Sequence, residues 1–205
     1  MENKKRGLLI VMSGPSGVGK GTIRQELFKS DKFDFAYSIS MTTRKMRDGE
    51  VNGRDYYFVT KDEFEKRISD GKFLEYAEFV GNYYGTPLDK VNEMRDSGKE
   101  VFLEIEVEGA MQVKKKVPDC VLIFILPPTK EDLYKRLKNR GTETEEVIND
   151  RIAKSNKEFK VAKNYDYIVV NDDINTATNK ILSIIEAEHL KTSHSLDEYK
   201  EFLKD

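Results

Sequence analysis

The chain has 205 residues, of which 35% are charged, yet its formal net charge is only −2. That length fits one core carrying inserted subdomains, and the near-balanced charge points away from a nucleic-acid surface or an acidic tail. The single cysteine, Cys120, borders an apolar run and can form no intramolecular disulfide; no stretch reaches membrane-spanning length, and the polar start does not read as a signal peptide, so the cytoplasm is the expected compartment.

Taken in chain order, Leu8 to Met12 predicts a buried strand. It breaks into Gly14-Pro15-Ser16-Gly17-Val18-Gly19-Lys20-Gly21-Thr22. Three glycines there let the backbone turn tightly and aim consecutive N–H groups at an anion. A helix predicted over 20–29 points its positive end at the same spot, and Lys20 can reach the terminal phosphates of a nucleoside triphosphate. Gly21 departs from the usual Ser or Thr of such loops, with the hydroxyl one place later at Thr22. Magnesium is therefore expected to be held by phosphates and water, with Thr22 or Glu104 as candidate protein oxygens.

A short strand is predicted near 36–40, followed by a different texture over 38–86. Tyrosine is dense there, Asn52-Gly53 predicts a hairpin turn, another turn falls at Gly81-Asn82, and a helix is expected over 61–70. This segment is expected to be a β-rich insert. Helices at 87–97 and 109–116 flank a strand at 101–107; strands at 121–126 and 166–170 follow, with helices at 129–139, 143–162 and 174–189. A Thr142-x-x-Glu145 capping box opens the 143–162 helix, and residues 195–205 read as a terminal amphipathic helix. Buried strands separated by helices imply an α/β fold with a central parallel sheet. The expected organisation is a core of residues 1–37, 87–128 and 164–205, an insert over 38–86 and a helical lid over 129–163.

Only ten of the 35 basic residues are arginine, and five of those fall in two short regions. Arginine matters where a planar fork grips phosphate. Arg44 and Arg47 follow a strand and suit a monophosphate, with Tyr56 and Tyr84 able to add phenolic hydrogen bonds. Tyr57 and Tyr83 are expected to pack, and Arg54 to be a solvated loop charge. Glu75 sits among apolar neighbours, where a carboxylate can accept from the N1–H and exocyclic amine of guanine; adenine offers no such pair. Glu104 and Glu106 share one face of the predicted 101–107 strand. Arg136 and Arg140 share a helical face, with Arg151 on the next helix. The histidines receive no chemistry.

Gly14 to Thr22, Ser-x-Thr-Thr-Arg from Ser40, Gly-Glu-Val-Asn-Gly-x-Asp-Tyr from Gly49, Gly-Asn-Tyr-Tyr-Gly from Gly81 and Arg-Gly-Thr-Glu-Thr from Arg140 together resemble the guanylate kinase family of phosphate-loop nucleoside monophosphate kinases. The resemblance implies ATP-dependent phosphorylation of GMP to GDP with magnesium. It assigns the loop from Gly14 to Thr22 and Asn171 to ATP. It assigns Arg44, Arg47, Tyr56 and Tyr84 to the GMP phosphate, and Ser40, Glu75 and Thr86 to guanine. Glu104 and Glu106 are assigned to the GMP side, although the family usually carries Asp at one or both positions. Lys20, Arg44, Arg136, Arg140 and Arg151 would supply catalytic charge. Asp173 is either part of the adenine-side loop or the cap of the last helix. The implied partners are the two nucleotides, with no nucleic acid or membrane; a homodimer is left open. Two other readings remain: a non-enzymatic scaffold module of the guanylate-kinase-like kind, and a kinase of another monophosphate.

Overall fold

The computed structural model describes residues 5–139 and 144–203. It divides into two compact units, one of residues up to Ser13 with Lys32–Leu122, the other of Gly14–Asp31 with the residues from Ile123 onward.

In the first unit, β1 (Leu9–Ser13), β2 (Phe35–Tyr37) and β7 (Glu100–Glu104) pair in parallel, β7 in the middle. Leu9 faces Val101 and Met12 faces Glu104. All five residues of β1 are buried, as expected of a strand covered on both faces. A second sheet has the order β4-β3-β6-β5, built from β3 (Met41–Thr42), β4 (Tyr57–Phe58), β5 (Phe73–Phe79) and β6 (Asn82–Pro87). Here α2 (Lys61–Ser69), capped by Thr60, lays Phe64 against this sheet. Phe64 stacks on Phe73 at 4.3 Å and on Tyr83 at 5.3 Å. Tyr57 and Tyr83 pack on the cluster of Met41, Phe64 and Phe73, as expected. Helices α3 (Leu88–Asp96) and α4 (Val107–Lys116) complete the unit.

The second unit carries α1 (Lys20–Leu27), most of β8 (Val121–Leu126), α5 (Lys130–Lys138), α6 (Glu145–Val161), β9 (Tyr167–Val170) and α7 (Ile174–Leu190). β8 and β9 are parallel, Ile123 facing Tyr167. Ile23 and Leu27 of α1 and Ala177, Ile181 and Ile185 of α7 are buried where these helices pack. Thus both units carry parallel strands with helices, the α/β class read from the alternation of elements, and the first unit adds the largely antiparallel second sheet of the expected β-rich insert.

Several boundaries differ from expectation. The strand over 101–107 stops at Glu104, and α4 starts at Val107 because the Glu106 carbonyl already accepts from Ala110 N–H. Leu103, Ile105 and Val107 alternate as in a strand, but Val107 is buried as the first helical residue. No hairpin joins strands at Asn52-Gly53. The segment is a local turn in which the Val51 carbonyl accepts from Arg54 and Asp55, and the Asn52 side chain accepts from Phe58 N–H. The hairpin of this sheet is β5–β6, closed by Val80 and Gly81 with φ of 49° and 71°. The cap of α6 is Thr144, accepting from Val147 N–H, so the helix opens two residues after the expected Thr142 cap; Thr142 lies outside the described residues. The tail is a short helix α8 (Thr192–Ser195) followed by 3-10 turns over Leu196–Leu203. Asp173 caps α7 by accepting from Thr176 N–H at 2.8 Å, and these amide donors lower its pKa.

Candidate active site

The second unit holds the phosphate loop. Gly14, Gly17 and Gly19 have φ of 146°, 93° and 92°, a region closed to most side chains. A Cβ at Gly14 would also lie 2.5 Å from the Ile125 carbonyl oxygen. Helix α1 begins at Lys20 with Gly19 as its N-cap and no side-chain cap, so its first N–H groups are presented as an anion cradle. Lys20 folds back across the loop, its Nζ donating to the Gly14 carbonyl at 2.5 Å and the Pro15 carbonyl at 3.1 Å. Val18 is fully buried, Ser16 exposed, and Gly21 and Thr22 lie on the first turn of the helix.

Two of the expected lid arginines converge on this loop. Arg136 Nη2 donates to the Asn171 carbonyl at 2.8 Å, and its Nη1 lies 3.4 Å from the Val18 carbonyl. Arg151 Nη1 donates to Ser16 Oγ at 2.9 Å. Arg140 lies outside the described residues. Asn171 is 3% exposed, and its side-chain amide donates to the Val18 carbonyl at 2.7 Å while its backbone N–H donates to the Leu126 carbonyl. Its Nδ2 would sit 2.5 Å from a Cβ at Gly19. Asn171 thus ties the loop, the end of β8 and Arg136 into one hydrogen-bonded block.

The first unit holds a separate set of polar groups. Arg44 makes a two-pronged bond to Glu50, Nη2 to Oε1 at 2.7 Å and Nη1 to Oε2 at 3.0 Å. The Arg44 guanidinium lies 5.4 Å from the Tyr56 ring centre and 5.6 Å from that of Phe58, within cation–π range. Tyr84 packs edge-on to Tyr56 at 6.0 Å, and its phenol faces Arg44. Arg47 is exposed, and its backbone N–H donates to Glu50 at 2.8 Å. The Arg44 guanidinium, then the Arg47 amide, holds the Glu50 carboxyl at about 2, while Glu50 raises the pKa of Arg44. Arg44, Tyr56 and Tyr84 are therefore together, with Arg47 joined through Glu50. Arg54 is largely exposed against Asp55, as expected of a loop charge. Glu50 received no role from the sequence. An Arg–Glu pair six residues apart inside a loop has no periodicity to reveal it.

Glu75 is only 8% exposed, the fate of a specific carboxylate rather than a solvated edge charge. Thr86 Oγ1 donates to its Oε1 at 2.5 Å from the neighbouring strand, where the two residues face each other. Burial raises the Glu75 pKa; the Thr86 hydroxyl and N–H and the Lys116 charge oppose that rise. Ser40 lies just before β3, half-buried, its carbonyl accepting from Tyr57 N–H. Glu104 is half-buried at the carboxyl end of β7. Glu106 is exposed as the N-cap of α4, so these two glutamates do not share a strand face.

Residues 6–188 match the family profile described as Guanylate kinase. The chain belongs to the guanylate kinase family. It is 55% identical to a guanylate kinase of Lactococcus lactis over 202 residues, covering 98% of either chain. It is 56% identical to one of Streptococcus pneumoniae over 198 residues, covering 97% of this chain and 95% of that one. The crystal structure of guanylate kinase from Anaplasma phagocytophilum is similar at a TM-score of 0.72 and 34% identity, covering 97% of this chain and 95% of that one.

Proposed function

We propose that this guanylate kinase family member transfers the γ-phosphoryl group of ATP to the phosphate of GMP, giving ADP and GDP. The observation that carries the reading is the buried Glu75 carboxylate, held by Thr86 in the same unit as the Arg44 fork. A buried acceptor-only group selects a base edge that carries two donors, as guanine does, and leaves an adenine unpaired. Ser40, with Glu104 and Glu106, completes the nucleoside contacts.

In this reading Arg44, Arg47, Tyr56 and Tyr84 take the GMP phosphate, whose dianion suits two guanidinium forks and hydroxyl donors. The loop from Gly14 to Thr22 takes the donor phosphates through its backbone N–H groups and Lys20, with Asn171 beside it. The acceptor oxygen is already anionic, so no general base is needed. Catalysis is alignment and charge stabilisation. Lys20, Arg136, Arg140 and Arg151 supply that charge around the donor, and Arg44 around the acceptor. Residues 129–163 act as a lid that excludes water from the transferring group.

Magnesium, when bound, neutralises donor phosphate charge. Among the described residues no group of three or more His, Cys, Asp or Glu is placed to hold a metal. We assign the ion to phosphates and water, as magnesium is commonly held in kinases, with Thr22 or Glu104 as the protein oxygen nearest it in role. No helix among the described residues is long and apolar enough to cross a membrane, and we place the enzyme in the cytoplasm, acting on small nucleotides.

The test is ADP release with GMP, AMP, dTMP and CMP as acceptors. Strong preference for GMP is expected. Preference for another monophosphate would replace the substrate, and no turnover with any acceptor would return the chain to the scaffold class.

A further inference from the structure

The edge of the second sheet is closed by a helix rather than by a strand. β5 is an end strand, which leaves a row of backbone groups without a strand partner. Gln112 of α4 takes both groups of Tyr76: its Oε1 accepts from the Tyr76 N–H at 3.2 Å and its Nε2 donates to the Tyr76 carbonyl at 3.1 Å. A primary amide carries a donor and an acceptor side by side, so it can stand in for one residue of a neighbouring strand. Four residues on, Lys116 Nζ donates to the Phe73 carbonyl at 2.6 Å. The two contacts bracket Glu75.

The strand is irregular at the same place. The pairing of β5 with β6 shifts between Phe73 and Glu75, and Phe73, Leu74 and Glu75 are buried in succession, where a regular strand alternates. A bulge of this kind re-aims a side chain. The carboxylate it presents has Thr86 on one oxygen and α4 on the other. A Cβ added at Gly109 would lie 3.0 Å from Glu75 Oε2 and 3.4 Å from its Cγ. Gly109, Gln112 and Lys116 fall on one helical face. Glycine is disfavoured inside a helix relative to alanine, and here its missing side chain is the space that the carboxylate fills.

We infer that Gly109, Gln112 and Lys116 form a positioning seam that fixes the Glu75 carboxylate for purine recognition, so that base selectivity is set by one face of α4 as well as by Glu75 itself. The inference rests on the reading of Glu75 as the residue that takes guanine. Lys116 adds the charge that acts on Glu75, β6 contributing only the neutral Thr86 groups. Through Lys116 the seam also opposes, behind the Thr86 groups, the rise that burial gives the Glu75 pKa.

Gly109→Ala separates this role from a structural one. Alanine favours the helix, so thermal stability should be unchanged or raised. The carboxylate must give way by a few tenths of an ångström, enough to raise the KM for GMP about five- to tenfold with kcat little altered. The KM for ATP should stay within about twofold, since only the acceptor side is touched. Gln112→Leu keeps the volume, loses both bonds to Tyr76, and should raise the KM for GMP in the same direction. Lys116→Met should shift the acid limb of GMP use to higher pH relative to wild type, since a carboxylate without its cation protonates sooner. Glu75→Gln is run beside them on GMP and AMP. If it narrows the GMP preference while Gly109→Ala leaves the KM for GMP unchanged, the seam is overturned and the reading of Glu75 stands. If Glu75→Gln leaves the preference unchanged, the reading of Glu75 fails and the seam with it. Equal damage to GMP and ATP kinetics, with a lowered melting temperature in all three seam variants, would also overturn it in favour of a purely structural contact.

Discussion

Asn171 offers a sharp test of how the phosphate loop is held. Its side-chain N–H is the close partner of the fully buried Val18 carbonyl, at 2.7 Å; the other contact, from Arg136, is long at 3.4 Å. Asn171→Ala leaves that carbonyl nearly unsatisfied, which costs about 1–3 kcal/mol. For a chain of this size each kcal/mol is about 2–4 °C in melting temperature, so a fall near 5 °C is expected. Asn171→Asp is nearly isosteric but sets an acceptor against the Val18 carbonyl and a negative charge beside a phosphate cradle. Burial and the facing Val18 carbonyl raise the pKa of the introduced carboxyl above its unfolded value of about 3.9, against the opposing pull of the Arg136 guanidinium. The folded state then binds the proton more tightly than the unfolded state, so stability falls as pH rises through that window and recovers as pH falls. Protonated, the group can again donate to Val18. The expected pattern is that Asn171→Asp is less stable than Asn171→Ala at pH 8 and regains ground by pH 5, with the KM for ATP raised about tenfold in both. Thermal melts at the two pH values and ATP saturation curves measure this. Wild-type stability of Asn171→Asp at pH 8, or an unchanged KM for ATP in both variants, would refute the bracing role.

Lys20→Ala should lower turnover by at least about 100-fold while the fold survives, because it removes transition-state charge rather than a core contact; steady-state rates with a melting curve check it. Arg136→Lys keeps the charge but loses the fork that reaches Asn171 and Val18, so turnover should fall by about tenfold or more with GMP affinity little changed, read by rapid kinetics and calorimetry. Glu50 has a folded pKa near 2, below its ordinary 4.5. Its contribution to stability is therefore complete above 4.5 and lost as pH falls toward 2. Acid unfolding of Glu50→Gln against wild type should show a difference that is constant above pH 5 and shrinks below it. Val80 is 80% exposed with φ of 49°, a conformation that costs a β-branched residue about 1 kcal/mol and suits asparagine. Val80→Asn should raise the melting temperature by about 2–4 °C without altering kinetics.

Elements whose reason is local were legible. Six consecutive apolar residues made β8, the helices expected over 129–139 and 174–189 formed as α5 and α7, and of the two readings of Asp173 the helix cap is present. Elements decided by distant partners were not. Asn52-Gly53 has the composition of a hairpin, yet no complementary strands flank it. The turn expected at Gly81-Asn82 forms one residue earlier, at Val80-Gly81, although valine is a poor turn residue, because Phe73–Phe79 and Asn82–Pro87 have a sheet to join. Tertiary pairing outweighs a turn preference of about 1 kcal/mol. The early start of α4 has the same origin. The segment 101–107 alternates like a strand, but small Gly109 and Ala110 let the helix begin against β5, and Val107 is buried as its first residue.

The candidate site divides along a similar line. Groups we assign to the substrates stand out by being out of place: a lysine after Gly-x-Gly, two arginines after a strand, a glutamate among phenylalanines. Groups that hold them look ordinary. Glu50 is one of many acidic residues, Asn171 joins Val18 across 153 positions of sequence, and Gln112 joins Tyr76 across 36. Each contact needs a donor and acceptor matched in place by the fold, and neither the residue type nor its spacing carries that information. A positioning residue is therefore recognised from the buried group it satisfies. Glu75 was legible as a carboxylate in apolar company. That its second oxygen rests on the one α4 position without a Cβ became visible only when helix and strand were seen side by side, and that contact is where a change of one methyl group tests base recognition without touching the carboxylate.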